Sequence, residues 1–226
     1  MEFKFTVLDY QTRASRAVVD VFDGQPKIEA QTYLRDLGEL RMNKKKQMTS
    51  PFLLPRSGFD VGDGTSYRNA PLQISADDLL DNVKAVQRKN NLLTSAGLHH
   101  DLGAVELDVE METGTGKTYV YTQTMFELNA RYGWTKFIVV VPSVAIREGV
   151  AKSLQITAKH FHERYGKRLW SFVYSSDRLN EIDSFASRAD ISVMVINMQA
   201  FNAFDESKSK DGRGGDKAAR IMFSER

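Results

Sequence analysis

The chain has 226 residues, 42% of them hydrophobic, enough to bury one α/β core with a smaller appended region. A formal net charge of +2 places any attraction to nucleic acid in local patches rather than in a global field. Cysteine is absent, which excludes disulfides and thiolate metal sites, the four histidines lack nearby ligand partners and so argue against zinc, and no stretch reads as a signal peptide or membrane span. A soluble cytoplasmic protein is the expectation.

Apolar positions Ala14, Ala17, Val18, Val21 and Phe22 recur at helical spacing over Asp9 to Phe22, and Gly24 and Pro26 end the pattern. Residues 44–72 change character, because Lys44-Lys45-Lys46 leads into Pro51, Pro55, Gly58, Gly62, Gly64 and Pro71; a loop-rich stretch is predicted. Helical spacing returns from Asp77 to Leu93 through Leu79, Leu80, Val83, Val86 and Leu92, with Ser75 or Asp77 as N-cap. From Ala104 to Met111 the chain alternates strictly, Val105, Leu107, Val109 and Met111 against Glu106, Asp108 and Glu110. That period predicts a strand running directly into a glycine cluster.

Past the glycines, Tyr119 to Asn129 reads as a helix that Gly133 is placed to end. Lys136 to Val141, KFIVVV, carries an unbroken β-branched run that suggests a strand buried on both faces, stopped by Pro142. A helix is predicted over Val144 to His162, strands over Leu169 to Tyr174 and Ile191 to Ile196, and a short helix over Leu179 to Arg188 between them. Strands and helices in alternation imply a parallel sheet flanked by helices. After Phe204 the composition, DESKSKDGRGGDK, predicts a polar mobile segment, with some apolar character resuming at Ala218 to Phe223.

The chemistry concentrates in METGTGKT, Met111 to Thr118. Thr113, Gly114, Thr115 and Gly116 can turn successive backbone N–H groups inward around phosphate oxygens, a conformation that a Cβ obstructs at the glycines. Lys117 supplies a cation for the β- and γ-phosphates, Thr118 a hydroxyl for Mg²⁺, and the helix that follows points its positive end at the same place. ATP and Mg²⁺ are the expected cofactors. The general phosphate-loop pattern has Gly where this chain has Met111.

With that departure, METGTGKT resembles the first motif of superfamily 2 helicases and translocases. METGTGKTYVYTQTMFEL followed by FIVVVPSVAIREGV is similar to the Res subunit of type III restriction enzymes, continuously from about Leu107 to Val150. The resemblance implies a RecA-like P-loop fold, ATP-dependent movement on double-stranded DNA, and a methyltransferase (Mod) partner subunit. It also implies that Gln11, within Leu8-Asp9-Tyr10-Gln11, meets the adenine edge, to which an amide offers a donor and an acceptor; an exposed helix glutamine would read the same way locally. PSVAIREGV and VINMQAFN correspond to segments that touch nucleic acid. Pro142, Ser143, Arg147, Asn197 and Gln199 are therefore candidate DNA contacts, although a solvated surface arginine would look no different at Arg147.

The expected organisation is a Q-like N-terminal helix at 1–24, an insertion at 25–103, a first motor lobe at 104–204 and a polar segment at 205–226. Arg41 to Lys46 in the insertion fits either a phosphate contact or a solvated charge run. No D-E-x-[HDQ] carboxylate motif follows an apolar strand, since Asp205-Glu206 leads into SKSK, and no arginine finger or nuclease motif is found. The expectation is a truncated motor lobe that binds nucleotide better than it hydrolyses it. The alternatives are a non-catalytic nucleotide- or DNA-binding module and a P-loop protein of another class, such as a small kinase.

Overall fold

The computed structural model describes residues 5–34, 65–99, 105–175 and 179–200. Its elements in order are α1 (Asp9–Asp20), β1 (Gln31–Leu34), β2 (Thr65–Arg68), α2 (Ala76–Lys89), α3 (Lys117–Tyr132), β3 (Lys136–Val141), α4 (Val144–Tyr165), β4 (Leu169–Val173), α5 (Leu179–Ser187) and β5 (Ile191–Asn197). All seven residues of β5 are buried. Burying side chains such as Val193, Met194, Val195 and Ile196 is worth roughly 1.5–3 kcal/mol each, so this strand anchors the core.

β3 and β4 pair with β5 in parallel on either side, giving the order β3-β5-β4. On one face, Phe172, Tyr174, Met194 and Ile196 pack against Ile182 and Phe185 of α5. On the other, Val141, Val193 and Val195 meet Met125 of α3 and Val150 and Leu154 of α4. Helices on both faces are what a parallel sheet requires. Phe126 of α3 stacks on Phe161 and Tyr165 of α4 with centroids 5.1 Å apart in each case. Tyr165 also donates to Glu127 Oε1 at 2.7 Å, and burial together with that carboxylate holds its phenol well above the ordinary value.

A second core joins Val19, Val21 and Phe22, at and after the end of α1, to Leu79 and Val83 of α2 and Leu128 and Tyr132 of α3. Amide side chains stitch residues 65–82 to this core. Gln25 Oε1 accepts from the Gln73 and Ile74 N–H groups at 2.8 and 3.4 Å, and Asn82 Nδ2 donates to the Val21 and Asp23 carbonyls. Asn69 accepts from the Thr135 and Lys136 N–H groups and donates to the Lys136 carbonyl at 2.8 Å. It thus stands in for a neighbouring strand at the first residue of β3.

The structure departs from the sequence reading at four places. Residues 105–112 form no strand, contrary to the expectation for Ala104 to Met111. Val105 and Leu107 do turn inward onto the second core, but among the described residues no neighbouring strand pairs with the segment. Alternation reports one buried side; a strand also needs a partner for its backbone. β3 is not buried on both faces, because Ile138 and Val140 are each 39% exposed; the wholly buried strand is β5.

α2 stops at Lys89 rather than near Leu93, as Asn91 takes φ +55° and Leu92 and Leu93 turn outward. Ser75 caps its start by accepting from the Asp78 N–H at 3.1 Å. Within the predicted loop, Thr65–Arg68 is a strand, paired antiparallel with Gln31–Leu34. Lys44 to Gly64, Arg41 to Lys46 and everything from residue 201 on, Asp205-Glu206 included, lie outside the described residues. No helix among the described residues is long and apolar enough to cross a membrane.

Gly133 ends α3 at φ +80°, where a Cβ would lie 2.2 Å from the Ile28 carbonyl oxygen. Gly133→Ala should therefore destabilise the fold by about 3 kcal/mol or more in urea unfolding, strain plus a backbone clash. Gly166→Ala, at φ +64° with open space around it, should lose only about 1 kcal/mol.

Lys136 Nζ donates to the Phe185 carbonyl at 2.5 Å and to the Arg188 carbonyl, tying β3 to the end of α5. Burial, and secondarily Arg188, pulls its pKa down to about 8. Between that value and the unfolded value near 10.5 the unfolded chain binds more protons, so this group adds stability as pH rises through the window. The rise should be visible when wild-type stability between pH 8 and 10 is compared with Lys136→Met, in which it is absent.

Candidate nucleotide-binding and nucleic-acid-binding site

α3 follows the glycine cluster and delivers the chain to the start of β3, so it runs back along the sheet with its N-terminus at the strands' carboxyl edge. The carboxyl ends of β3 and β5 share that edge, where open α/β sheets place their ligands. α2 and α4 start on serine caps, Ser75 and Ser143. α3 starts on Gly116 at φ +86°, and among the described residues no side chain is bonded to its first amides. Gly114 is also left-handed, at φ +84°, and a Cβ there would meet nothing within 4 Å.

An uncapped helix start behind two left-handed glycines fits a phosphate group, whose oxygens those amides would bind. Thr113 and Lys117 are exposed beside it, and Thr118 is half-buried in the first turn. Thr115 folds the loop onto itself, its hydroxyl donating to the Glu112 carbonyl at 2.6 Å.

The Thr115 carbonyl is held from a distant part of the chain. Gln11 Nε2 and the Tyr10 hydroxyl each donate to it at 3.0 Å. Gln11 is 7% exposed, and a Cβ on Gly116 would lie 2.6 Å from its Nε2. Gln11 was singled out for an adenine edge; here its amide nitrogen braces the loop, while its oxygen has no protein donor among the described residues. Tyr10 was missed as a loop contact, and its place beside Gln11 was the available signal.

The second set also converges. Pro142 is exposed where β3 ends, and Ser143 is occupied in capping α4, accepting from the Ile146 N–H at 3.3 Å. Arg147 Nη1 donates to Asn197 Oδ1 at 3.3 Å, and Asn197 Nδ2 donates to Gln199 Oε1 at 2.9 Å. Three candidate residues from two distant segments therefore form one hydrogen-bonded chain, with the partly exposed Arg147 at one end and the exposed Gln199 at the other. Glu148, which the sequence reading passed over, pairs with Arg147 at 3.1 Å.

A family model described as "Type III restriction enzyme, res subunit" matches residues 74–223, well over half of the chain. The chain belongs to the type III restriction enzyme Res subunit family. Its α/β fold, with a parallel sheet flanked by helices, is that family's P-loop helicase fold. Similar curated Res subunits come from the type III restriction-modification enzymes EcoP15I of Escherichia coli (38% identical, 49% of this chain), EcoPI of Escherichia phage P1 (36%, 51%) and StyLTI of Salmonella typhimurium (41%, 43%). The chain covers only 11–12% of those relatives' own lengths.

In this Res-family chain the loop and α1 should be energetically coupled. Gly116→Ala in a Gln11→Ala background should cost about 1 kcal/mol less stability in urea unfolding than Gly116→Ala alone, because the clash is gone and only the backbone strain remains.

Proposed function

We propose that this chain is the ATP-binding N-terminal part of a DNA-translocating superfamily 2 ATPase, the Res subunit of a type III restriction-modification system. The observation that carries the proposal is the braced, uncapped loop at the start of α3 in a chain of the Res family. Thr113, Gly114, Thr115 and Gly116 wrap the phosphates. Lys117 would neutralise the β- and γ-phosphates, and Thr118 would offer its hydroxyl to a Mg²⁺, whose charge would stabilise the transferring phosphoryl group. Gln11, with its nitrogen on the loop, offers its oxygen to the adenine amino group, which makes base recognition and loop geometry one event.

Pro142, Ser143, Arg147, Asn197 and Gln199 form the nucleic-acid side, at the same edge of the sheet. Residues 1–24 serve as the Q-like helix, 25–103 as a family-specific insertion, 104–204 as the first motor lobe and 205–226 as a polar segment. Double-stranded DNA and a methyltransferase (Mod) subunit are the proposed partners, and the cytoplasm the place of work. Movement along DNA would couple the two sites through α3, α4 and the sheet between them.

The test is a Mg²⁺-dependent titration with a fluorescent ATP analogue. Lys117→Ala should weaken binding by roughly tenfold or more, about 1.4 kcal/mol, with an unchanged far-ultraviolet spectrum. Equal binding by the variant would overturn the phosphate-loop assignment. Turnover stimulated by duplex DNA would support the motor, and binding without turnover the non-catalytic module.

A further inference from the structure

Arg147 lies in the first turn of α4 with its side chain only 20% exposed, and both edges of its guanidinium are engaged. Nη1 donates to Asn197 Oδ1 at 3.3 Å, at the last residue of β5. Nε and Nη2, which form the other edge, both donate to one oxygen of Glu148, at 3.3 and 3.1 Å.

The two partners differ in how readily they can be displaced. Glu148 is 61% exposed, and exposed ion pairs of this kind contribute about 0–1 kcal/mol, so an incoming anion competes with it readily. Asn197 is 7% exposed and is oriented from behind: its Nδ2 bond to Gln199 turns Oδ1 towards Arg147. Withdrawing that oxygen would leave a largely buried guanidinium edge short of an acceptor.

We propose that Asn197, aligned by Gln199, is a positioning residue that holds Arg147 so that its Nε/Nη2 edge takes a DNA phosphate in exchange for Glu148. The inference rests on Arg147 as a DNA contact and deepens that reading. The Nε/Nη2 edge has the fork geometry that grips a phosphate through two parallel N–H bonds. Val144, Ile146 and Met198, exposed at 50, 48 and 46%, supply apolar surface from the same two segments that suits the sugar faces of a nucleic-acid strand. Asn197 has its amide oxygen and nitrogen already bonded within the protein and is nearly shut off from solvent. It therefore acts on DNA through Arg147 rather than by touch, and Glu148 is the internal competitor that sets how strongly the site holds phosphate.

The test is fluorescence anisotropy of the 226-residue chain with a labelled DNA duplex across a salt series. Arg147→Ala should weaken binding roughly tenfold and lower the slope of log affinity against log salt by about 0.9, the signature of one lost phosphate contact. Asn197→Ala should weaken it by roughly fivefold and Gln199→Ala by about twofold, while Glu148→Gln should tighten it by about threefold, as expected of charge-assisted contacts. In an Arg147→Ala background all three should have almost no effect, which is non-additivity that general structural damage does not produce. Gln199 and Glu148 are exposed, so their variants keep the test open if Asn197→Ala folds poorly.

If the wild type does not bind DNA, or Arg147→Ala changes neither affinity nor slope, the DNA-contact reading falls and the inference with it. If Arg147→Ala weakens binding but the Gln199 and Glu148 variants have no effect, or have the same effect without Arg147, the DNA reading stands and the positioning role is overturned.

Discussion

Burial of β5 along its whole length is the constraint on which the other elements depend. A strand with every side chain buried needs cover on both faces and a strand at each edge, since an unpaired backbone group in that environment costs as much as a lost hydrogen bond. β3 and β4 occupy the edges, α5 covers one face, and α3 with α4 covers the other. The parallel arrangement in turn sends α3 back along the sheet and brings its N-terminus to the carboxyl edge. The nucleotide loop is where it is because β5 is dry.

Once there, the loop is tied to the N-terminal segment through one carbonyl. Two donors on the Thr115 oxygen come from Tyr10 and Gln11, about a hundred residues earlier, and the left-handed Gly116 leaves room for the Gln11 amide. The α1 helix carrying those donors is itself held by the core it shares with α2 and α3, and Tyr132 at the far end of α3 donates to the Val19 carbonyl at 2.9 Å. Loop, helix and N-terminal segment therefore form one mechanical unit. A base bound at Gln11 and a phosphate bound at the loop would be sensed together.

At Arg147 the same principle recurs with an arginine in place of a carbonyl. A nearly buried amide, Asn197, bonds one edge of a charged group that reaches the surface, while the exposed Glu148 takes the other. Gln25, Asn69 and Asn82 play the corresponding part in attaching residues 65–82 to the segment after α1 and to the start of β3. Side-chain amides suit this work because each carries donor and acceptor in one rigid plane and no charge to desolvate.

Local chemistry was legible in the amino-acid sequence. The glycine turn before α3, the α3 helix and its glycine stop, a cap for α2 at Ser75 or Asp77 and strands β3 to β5 could be placed within a few residues, because spacing, capping and glycine punctuation act over one or two turns. The family resemblance was legible for the same reason, being carried by a continuous run. Pairing and cover were decided only in the tertiary structure. The alternating segment before the loop has the period of a strand but no described neighbour, β3 has the composition of a fully buried strand but one open face, and the polar-looking Asn69 closes part of a sheet edge. Tertiary structure also decided what the candidate site residues do to one another. Gln11 braces a loop that is distant in sequence and Asn197 orients Arg147, since a hydrogen bond between residues 50 to 104 positions apart leaves no local trace in the chain that makes it.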